Sequence, residues 1–293
     1  MTQEKQYEQG IVTFLDLLGF RDLLQTKSPG ELSRILSLFR SQGNPKVGSG
    51  DEFNRMFEYA ALSDCFFRTT ATEHEINRKF PTGHLFHELL GIIFVQCHLL
   101  VEGHLIRGAV TYGEYCAERD DYGAVLFGPA VAKAYELESK QARYPRVVVD
   151  PHLIEQFWQS ELLKNVIHDH HTEWDEYLSH LLCQDDNGVW FVDYLRGING
   201  NFDEEPEGTA TFYLKHKRFI EQRLQQWVAL KKPGPDSISE KLIWLLQYHN
   251  SMLKGFADPE WEWLLSSADG SLGKEDFIIN PPKHPLFNRY PPA

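Results

Sequence analysis

The chain has 293 residues, 42% of them hydrophobic and 24% charged. At about 150 residues per domain that length points to two domains, or to one with a large extension, and the apolar share excludes disorder as the main state. Asp and Glu outnumber Lys and Arg by 42 to 29, a net charge of −13; so acidic a chain lacks the basic stripes that wrapping nucleic acid demands, while leaving room for a nucleotide offset by a metal or a local cation.

The opening MTQEKQYEQG has neither a basic n-region nor an apolar h-region, so no signal peptide is expected. Residues 10–17, GIVTFLDL, read as a buried strand carrying Asp16 near its C-terminal end. Residues 20–40 run at helical spacing through Leu23, Leu24, Leu32, Ile35, Leu36 and Phe39, and Ser28–Pro29–Gly30 divides them into two helices. A loop is expected through Gly43, Asn44, Pro45 and Gly48–Gly50. Residues 53–61 and 65–71 read as two strands joined tightly through Leu62–Ser63–Asp64.

The apolar stretch Leu85–Val101 is interrupted by His87, Glu88, Gln96 and His98, which makes it a buried helix (83–102) rather than a membrane span. A strand follows over 104–115, a turn at Asp120–Asp121, a short strand from Tyr122 to Phe127, a helix from Gly128–Pro129 to about Ala142, and a strand over Arg146–Asp150. This order is a ferredoxin-like split βαβ with an added hairpin, hence an α+β fold. Residues 151–182 read as mostly helical, 189–194 as one more strand, and 199–208 as a loop. Amphipathic helices are expected over 210–231 and 237–255, then an irregular tail from Ala268 that wraps the surface. The four cysteines, Cys65, Cys97, Cys116 and Cys183, form no CxxC, so a reduced, cytoplasmic protein is expected.

Three features carry chemistry. Asp16 ends the first strand and Asp64 sits in the following hairpin, which a split βαβ core places beside that strand; two such carboxylates repel and favour a bridging divalent cation, suited to triphosphate chemistry. The Leu17 carbonyl adds a hard oxygen ligand. The plain alternative is a pair of solvent-facing strand-end and turn acids. Next, Arg107 stands alone in an apolar strand and needs a partner there: a phosphate, a base edge, one of the two acids, or a core carboxylate such as Glu88. Finally, Phe127–Gly128–Pro129–Ala130–Val131 leads into a helix bearing Lys133, Lys140 and Arg143, which suits either phosphate binding or a solvated basic face. His168, His170 and His171 lack metal-ligand spacing and read as a surface loop. No GxxxxGK[ST], GxSxG or HExxH occurs, and Trp227, Trp244, Trp261 and Trp263 read as core or interface.

VTFLDLLGF (12–20), ALSDCFF (61–67), IRGAVTYGE (106–114), FGPAVAKAYELE (127–138) and YPRVVVD (144–150) together resemble a class III nucleotide cyclase domain, and more narrowly the pyrimidine cyclases of bacterial Pycsar anti-phage systems. The resemblance covers about residues 8–195, with 196–293 as a C-terminal helical extension without motif. It implies a homodimer with active sites at the interface, two Mn²⁺ or Mg²⁺ ions held by Asp16, Leu17 and Asp64, and residues Phe14–Phe20, including Leu17, Gly19 and Phe20, along the triphosphate. It places Tyr59 near the base. Purine cyclases of this class usually carry an Asn and an Arg where this chain has Ala132 and Glu136, so Lys133, Lys140, Arg143 or Arg107 would have to neutralise the developing charge instead, with Arg107 and Lys133 taken as the catalytic cations. The implied reaction is UTP to 3′,5′-cyclic UMP and pyrophosphate, with CTP as the alternative substrate and an effector downstream; neither nucleic acid nor a membrane span is implied. A silent nucleotide-binding module, which Ala132 and Glu136 favour and the intact Asp pair opposes, and a polymerase-like palm enzyme, which uses the same paired acids, stay open at this point.

Overall fold

A computed structural model describes residues 6–44, 57–72, 83–120, 123–199, 206–231, 234–266 and 272–287. The loop expected at Pro45 and Gly48–Gly50, positions 53–56 of the second strand, Asp121 and Tyr122, positions 200–205, and tail positions 268–271 and 288–293 lie outside the described residues. Backbone proximity divides the chain into two compact units: residues 1–99 with 104–193, and residues 100–103 with 194–293.

The first unit is built on an eight-stranded sheet. Strand β1 (Glu8–Leu17) is followed by helices α1 (Phe20–Thr26) and α2 (Pro29–Gly43), the hairpin β2 (Phe57–Leu62) and β3 (Cys65–Ala71), helix α3 (His84–Val101), strands β4 (Ile106–Asp120) and β5 (Gly123–Phe127), helix α4 (Pro129–Gln141) and strand β6 (Val147–Val149). The spatial order β2-β3-β1-β4 is antiparallel throughout and is the ferredoxin-like arrangement expected. β6 joins parallel to β4, and β5 pairs only with the far end of β4.

Local chemistry fixes the joints. Ser28 caps α2 by accepting from the Glu31 N–H while the Glu31 carboxylate accepts from the Ser28 N–H, which is why the helical stretch breaks there. At the start of α4 Gly128 adopts φ 132°, and a Cβ there would press on the Tyr115 backbone, so only glycine serves. Strand alternation then divides the core. Val12 and Phe14 face α4 and pack with Tyr115, Ala130, Val131 and Ala134. Thr13, Phe66 and Arg68 face α2 and α3, where Glu88 accepts from Thr13 Oγ1 (2.6 Å), Arg68 Nη2 (2.7 Å) and Arg68 Nε (3.0 Å). Glu88 thus pairs with Arg68, not with Arg107. Helix α3 is long and apolar enough to cross a membrane, yet Leu85, Leu89, Ile92, Ile93, Val95 and Leu99 are fully buried, as a core helix requires.

Beyond β6 the structure adds a strand that the sequence reading did not place, orders the His168–His171 segment, and makes part of the expected surface tail a short helix and core. The span 151–182 holds helix α5 (Pro151–Gln159), the short helix α6 (His170–Glu173) and a π-helical turn (Trp174–Leu178), but it ends in strand β7 (Leu182–Gln184). β7 hairpins with β8 (Trp190–Val192), which pairs with β6; three residues are too few to show a period of two. The His168–His171 segment is more than a loop: Asp169 caps α6, and His168 Nδ1 lies 2.8 Å from the buried Glu173 carboxylate.

The second unit holds α7 (Tyr194–Gly197), α8 (Pro206–Ala229), α9 (Ser237–Lys254), α10 (Asp258–Ser266) and α11 (Lys274–Phe277). Its C-terminal segment contributes core: Phe277 and Ile279 are fully buried, and the Asn250 amide both donates to the Ile279 carbonyl and accepts from its N–H. Trp227 and Trp261 are core residues here, in keeping with the sequence reading.

Candidate active site

Three adjacent strands set the floor of the site. Asp16 of β1 lies directly across from Cys65 of β3 on one side and from Arg107 of β4 on the other. Directly paired residues share a sheet face, and this is the face that carries α4. The β2–β3 turn is tied down where β1 ends, because the Leu17 N–H donates to the Asp64 carbonyl at 2.9 Å. Ser63, first in that turn, takes φ 55°, and Asp64 comes near enough for its charge to act on Asp16. Gly108 follows Arg107, and a Cβ there would strike the Phe14 carbonyl, so glycine lets β4 close onto β1.

Arg107 Nε donates to Asp16 Oδ2 at 3.1 Å and lies 2.7 Å from Glu138 Oε1 of α4. The sequence reading missed Glu138, a side chain only 4% exposed. Its signal lies in the helix spacing: Ala130, Ala134, Leu137 and Glu138 stand at i, i+4, i+7 and i+8, one buried stripe. Burial pushes the Asp16 carboxyl upward, Arg107 pulls it down, and the charge of Asp64 raises it further. Glu138 is raised by burial, against the pull of Arg107, and by Asp16. The Cys65 thiol is pushed up to about 11, first by burial and then by Asp16, Asp64 and Glu138. Two carboxylates, Asp16 and Glu138, share the one guanidinium of Arg107, and Asp64 adds its charge beside Asp16.

The other expected residues fall in several places. Leu17 is buried and holds the Asp64 turn; Gly19, at φ 80°, starts α1, whose first residue Phe20 is buried. Phe14 is a core residue, 3% exposed, with its ring on Phe67 and Tyr135. Tyr59 pairs across β2–β3 with Arg68 and packs on Phe66, which puts it on the opposite sheet face from Asp16. Its hydroxyl is buried and has no hydrogen-bond partner among the described residues, and burial raises its phenol. Lys133 stands on the exposed stripe of α4 with Ala132, Glu136 and Lys140, and Lys140 is bonded to Glu136. The structure therefore gathers Asp16, Asp64, Arg107, Glu138 and Cys65, and does not bring Tyr59 or Lys133 of the same chain to them.

No protein-family model and no curated protein matches this chain. Among solved structures it is similar to the adenylyl cyclase CyaB from P. aeruginosa, at 16% identity and TM-score 0.42 over 64% of this chain and 95% of that one. It is similar at the same identity and TM-score to the catalytic core of a rhodopsin-guanylyl cyclase with converted specificity in complex with ATPαS, over 66% of this chain and 98% of that one. A third likeness is to the guanylate cyclase domain of RhGC from Catenaria anguillulae in complex with GTP, at 16% identity and TM-score 0.40 over 53% and 84% of the two chains.

A hard divalent cation fits the donor set. Asp16 and Asp64 supply carboxylate oxygens, and the raised Asp16 carboxyl marks a place where added positive charge is favourable. Among the described residues no group of three or more His, Cys, Asp or Glu gathers around one point to hold an ion. Two carboxylates alone make an open site, at which a bound cation would take its remaining ligands from water or a phosphate.

Proposed function

We propose that this protein is a class III nucleotide cyclase that converts UTP to 3′,5′-cyclic UMP and pyrophosphate, with CTP to cyclic CMP as the alternative. The observation that carries the reading is the meeting of Asp16 and Asp64 beside Arg107, at the end of a ferredoxin-like central strand. The five sequence segments that resemble this family include these residues. The catalytic part spans 8–195 and the helical extension 196–293.

In the reaction the ribose 3′-oxygen attacks the α-phosphorus and a new P–O bond forms. The α–β bridging P–O bond breaks, pyrophosphate leaves with that electron pair, and the hydroxyl proton passes to solvent. Two bound Mg²⁺ or Mn²⁺ ions would supply activation of the 3′-oxygen and neutralisation of the departing charge. Asp16, Asp64 and the Leu17 carbonyl would hold them. The Leu18–Gly19 turn would run beside the triphosphate, and Arg107 would meet phosphate oxygens with donors aimed where charge develops.

The reading places the site at a homodimer interface. Large apolar side chains on this part of the unit are exposed: Tyr135 on α4, Val125 and Phe127 on β5, and Tyr7. The outward-facing Lys133 of one protomer would then serve the site of its partner. The cyclic nucleotide would act as a second messenger on an effector in anti-phage defence. Ala132 and Glu136, standing where purine cyclases carry their Asn and Arg, favour a second reading as a silent nucleotide-binding module. Incubating the protein with each of the four NTPs and Mn²⁺, followed by mass spectrometry, separates the two. A cyclic pyrimidine product that disappears in Asp64→Asn supports the cyclase; nucleotide binding without pyrophosphate release supports the module.

A further inference from the structure

Arg107 is shared. Its Nε lies 3.1 Å from Asp16 Oδ2 and 2.7 Å from Glu138 Oε1, and only the Asp16 contact is aligned as a hydrogen bond. Glu138 Oε1 is buried with no aligned hydrogen bond of its own among the described residues. The terminal nitrogens of Arg107 likewise make none there, and its side chain is 31% exposed. The guanidinium is thus held at one corner between two carboxylates, with the fork free.

The two carboxylates are not equivalent. Asp16 belongs to the pair that would take a divalent cation, whereas Glu138 is set on α4 among Ala134, Leu137 and the sheet. A cation bound to Asp16 and a guanidinium bound to the same carboxylate repel one another, so each weakens the hold of the other. We infer that Glu138 is a positioning residue that receives Arg107 when a divalent cation takes Asp16. It keeps the guanidinium in the site, with its free fork toward an incoming phosphate, so that the cation need not expel the arginine into solvent. The inference rests on the reading of Asp16 and Asp64 as the cation-binding pair, and it assigns Glu138 a role with no direct touch on substrate.

The test is a double-variant cycle on Mn²⁺ affinity, measured by electron paramagnetic resonance of free Mn²⁺ on the full chain without nucleotide. The variants are Glu138→Gln, Arg107→Gln and the two together, each checked for folding by circular dichroism. In the native background Glu138→Gln should weaken Mn²⁺ binding roughly tenfold, and in the Arg107→Gln background less than about twofold, because the effect runs through Arg107. Glu138→Asp, which keeps the charge but withdraws the carboxylate by one methylene, should resemble Glu138→Gln. Equal weakening in both backgrounds, or full affinity in Glu138→Asp, overturns the inference and leaves Glu138 a plain negative charge. Native protein that binds no Mn²⁺, or binds it equally in Asp64→Asn, overturns the cation-site reading itself.

Discussion

Helices α8 and α9 of the second unit enclose a hydrogen-bonded chain that commits its histidines to neutrality. His249 Nε2 lies 2.9 Å from the Phe277 carbonyl, which can only accept, so that nitrogen carries the proton. His249 Nδ1 then accepts from His216 Nδ1 at 2.8 Å, and His216 Nε2 accepts from the Tyr194 hydroxyl at 2.8 Å. Phe212, Tyr213 and Tyr194 surround the rings, and the charge of Lys217 also disfavours a cation at His249, against the pull of the Phe277 carbonyl. Burial lowers both groups, His249 to about 4 and His216 well below its ordinary value. As pH falls through about 6.5 the unfolded chain takes up protons on these rings and the folded chain does not. Stability is therefore complete near neutrality and drops below about pH 6.5 by about 1.4 kcal/mol per pH unit for a ring that stays neutral, about 2 kcal/mol at about pH 5 for His249, with His216 acting in the same direction. Urea denaturation of the native protein and of a His216→Leu/His249→Leu variant should show this as a difference in slope against pH. The variant loses stability at every pH because Tyr194 and the Phe277 carbonyl lose partners, but it lacks the histidine contribution. Parallel losses in the two proteins, agreeing within about 1 kcal/mol between ~pH 7.5 and ~pH 5, would refute the reasoning.

Other parts of the structure make shorter predictions. Ser63 has a left-handed backbone that L side chains adopt at a cost, so Ser63→Gly should stabilise by about 1 kcal/mol in urea; destabilisation would show that the turn needs the serine. Glu88→Ala leaves Arg68 buried without its carboxylate and should cost about 3–5 kcal/mol, with Arg68→Met/Glu88→Leu recovering most of it; a loss no smaller in the double variant would count against a paired-charge origin. Mn²⁺ in large excess should raise the melting temperature of the native protein and leave Asp64→Asn unmoved, by linkage to the folded state; equal shifts in both would place the ion elsewhere.

The order of elements was legible because each strand and helix carries its own period and its own breaker, as Ser28–Pro29 shows. The convergence of Asp16 with Asp64 followed from topology alone, since a split βαβ core sets the first strand beside the hairpin. Other features depend on facts that spacing does not hold. Which face Tyr59 takes depends on hairpin register, and a shift of one residue reverses it. Arg107 could have met any carboxylate in the core; its partners are decided by which strands flank β4 and by which stripe of α4 lies inward. Glu138 was readable from its place among Ala130, Ala134 and Leu137, but a Glu in a charged ELESK run reads as solvated. The His216–His249 pair joins two helices across 33 residues, and nothing local marks either ring.

The central claim is that Asp16 and Asp64 together hold a divalent cation over a nucleoside triphosphate. Anomalous diffraction from crystals grown with Mn²⁺ and a non-hydrolysable UTP analogue tests it most directly. The account predicts an anomalous peak within about 2.0–2.3 Å of an oxygen of each carboxylate, with analogue phosphate oxygens completing the shell. A peak away from both side chains, or bound analogue with no ion between it and them, would contradict it.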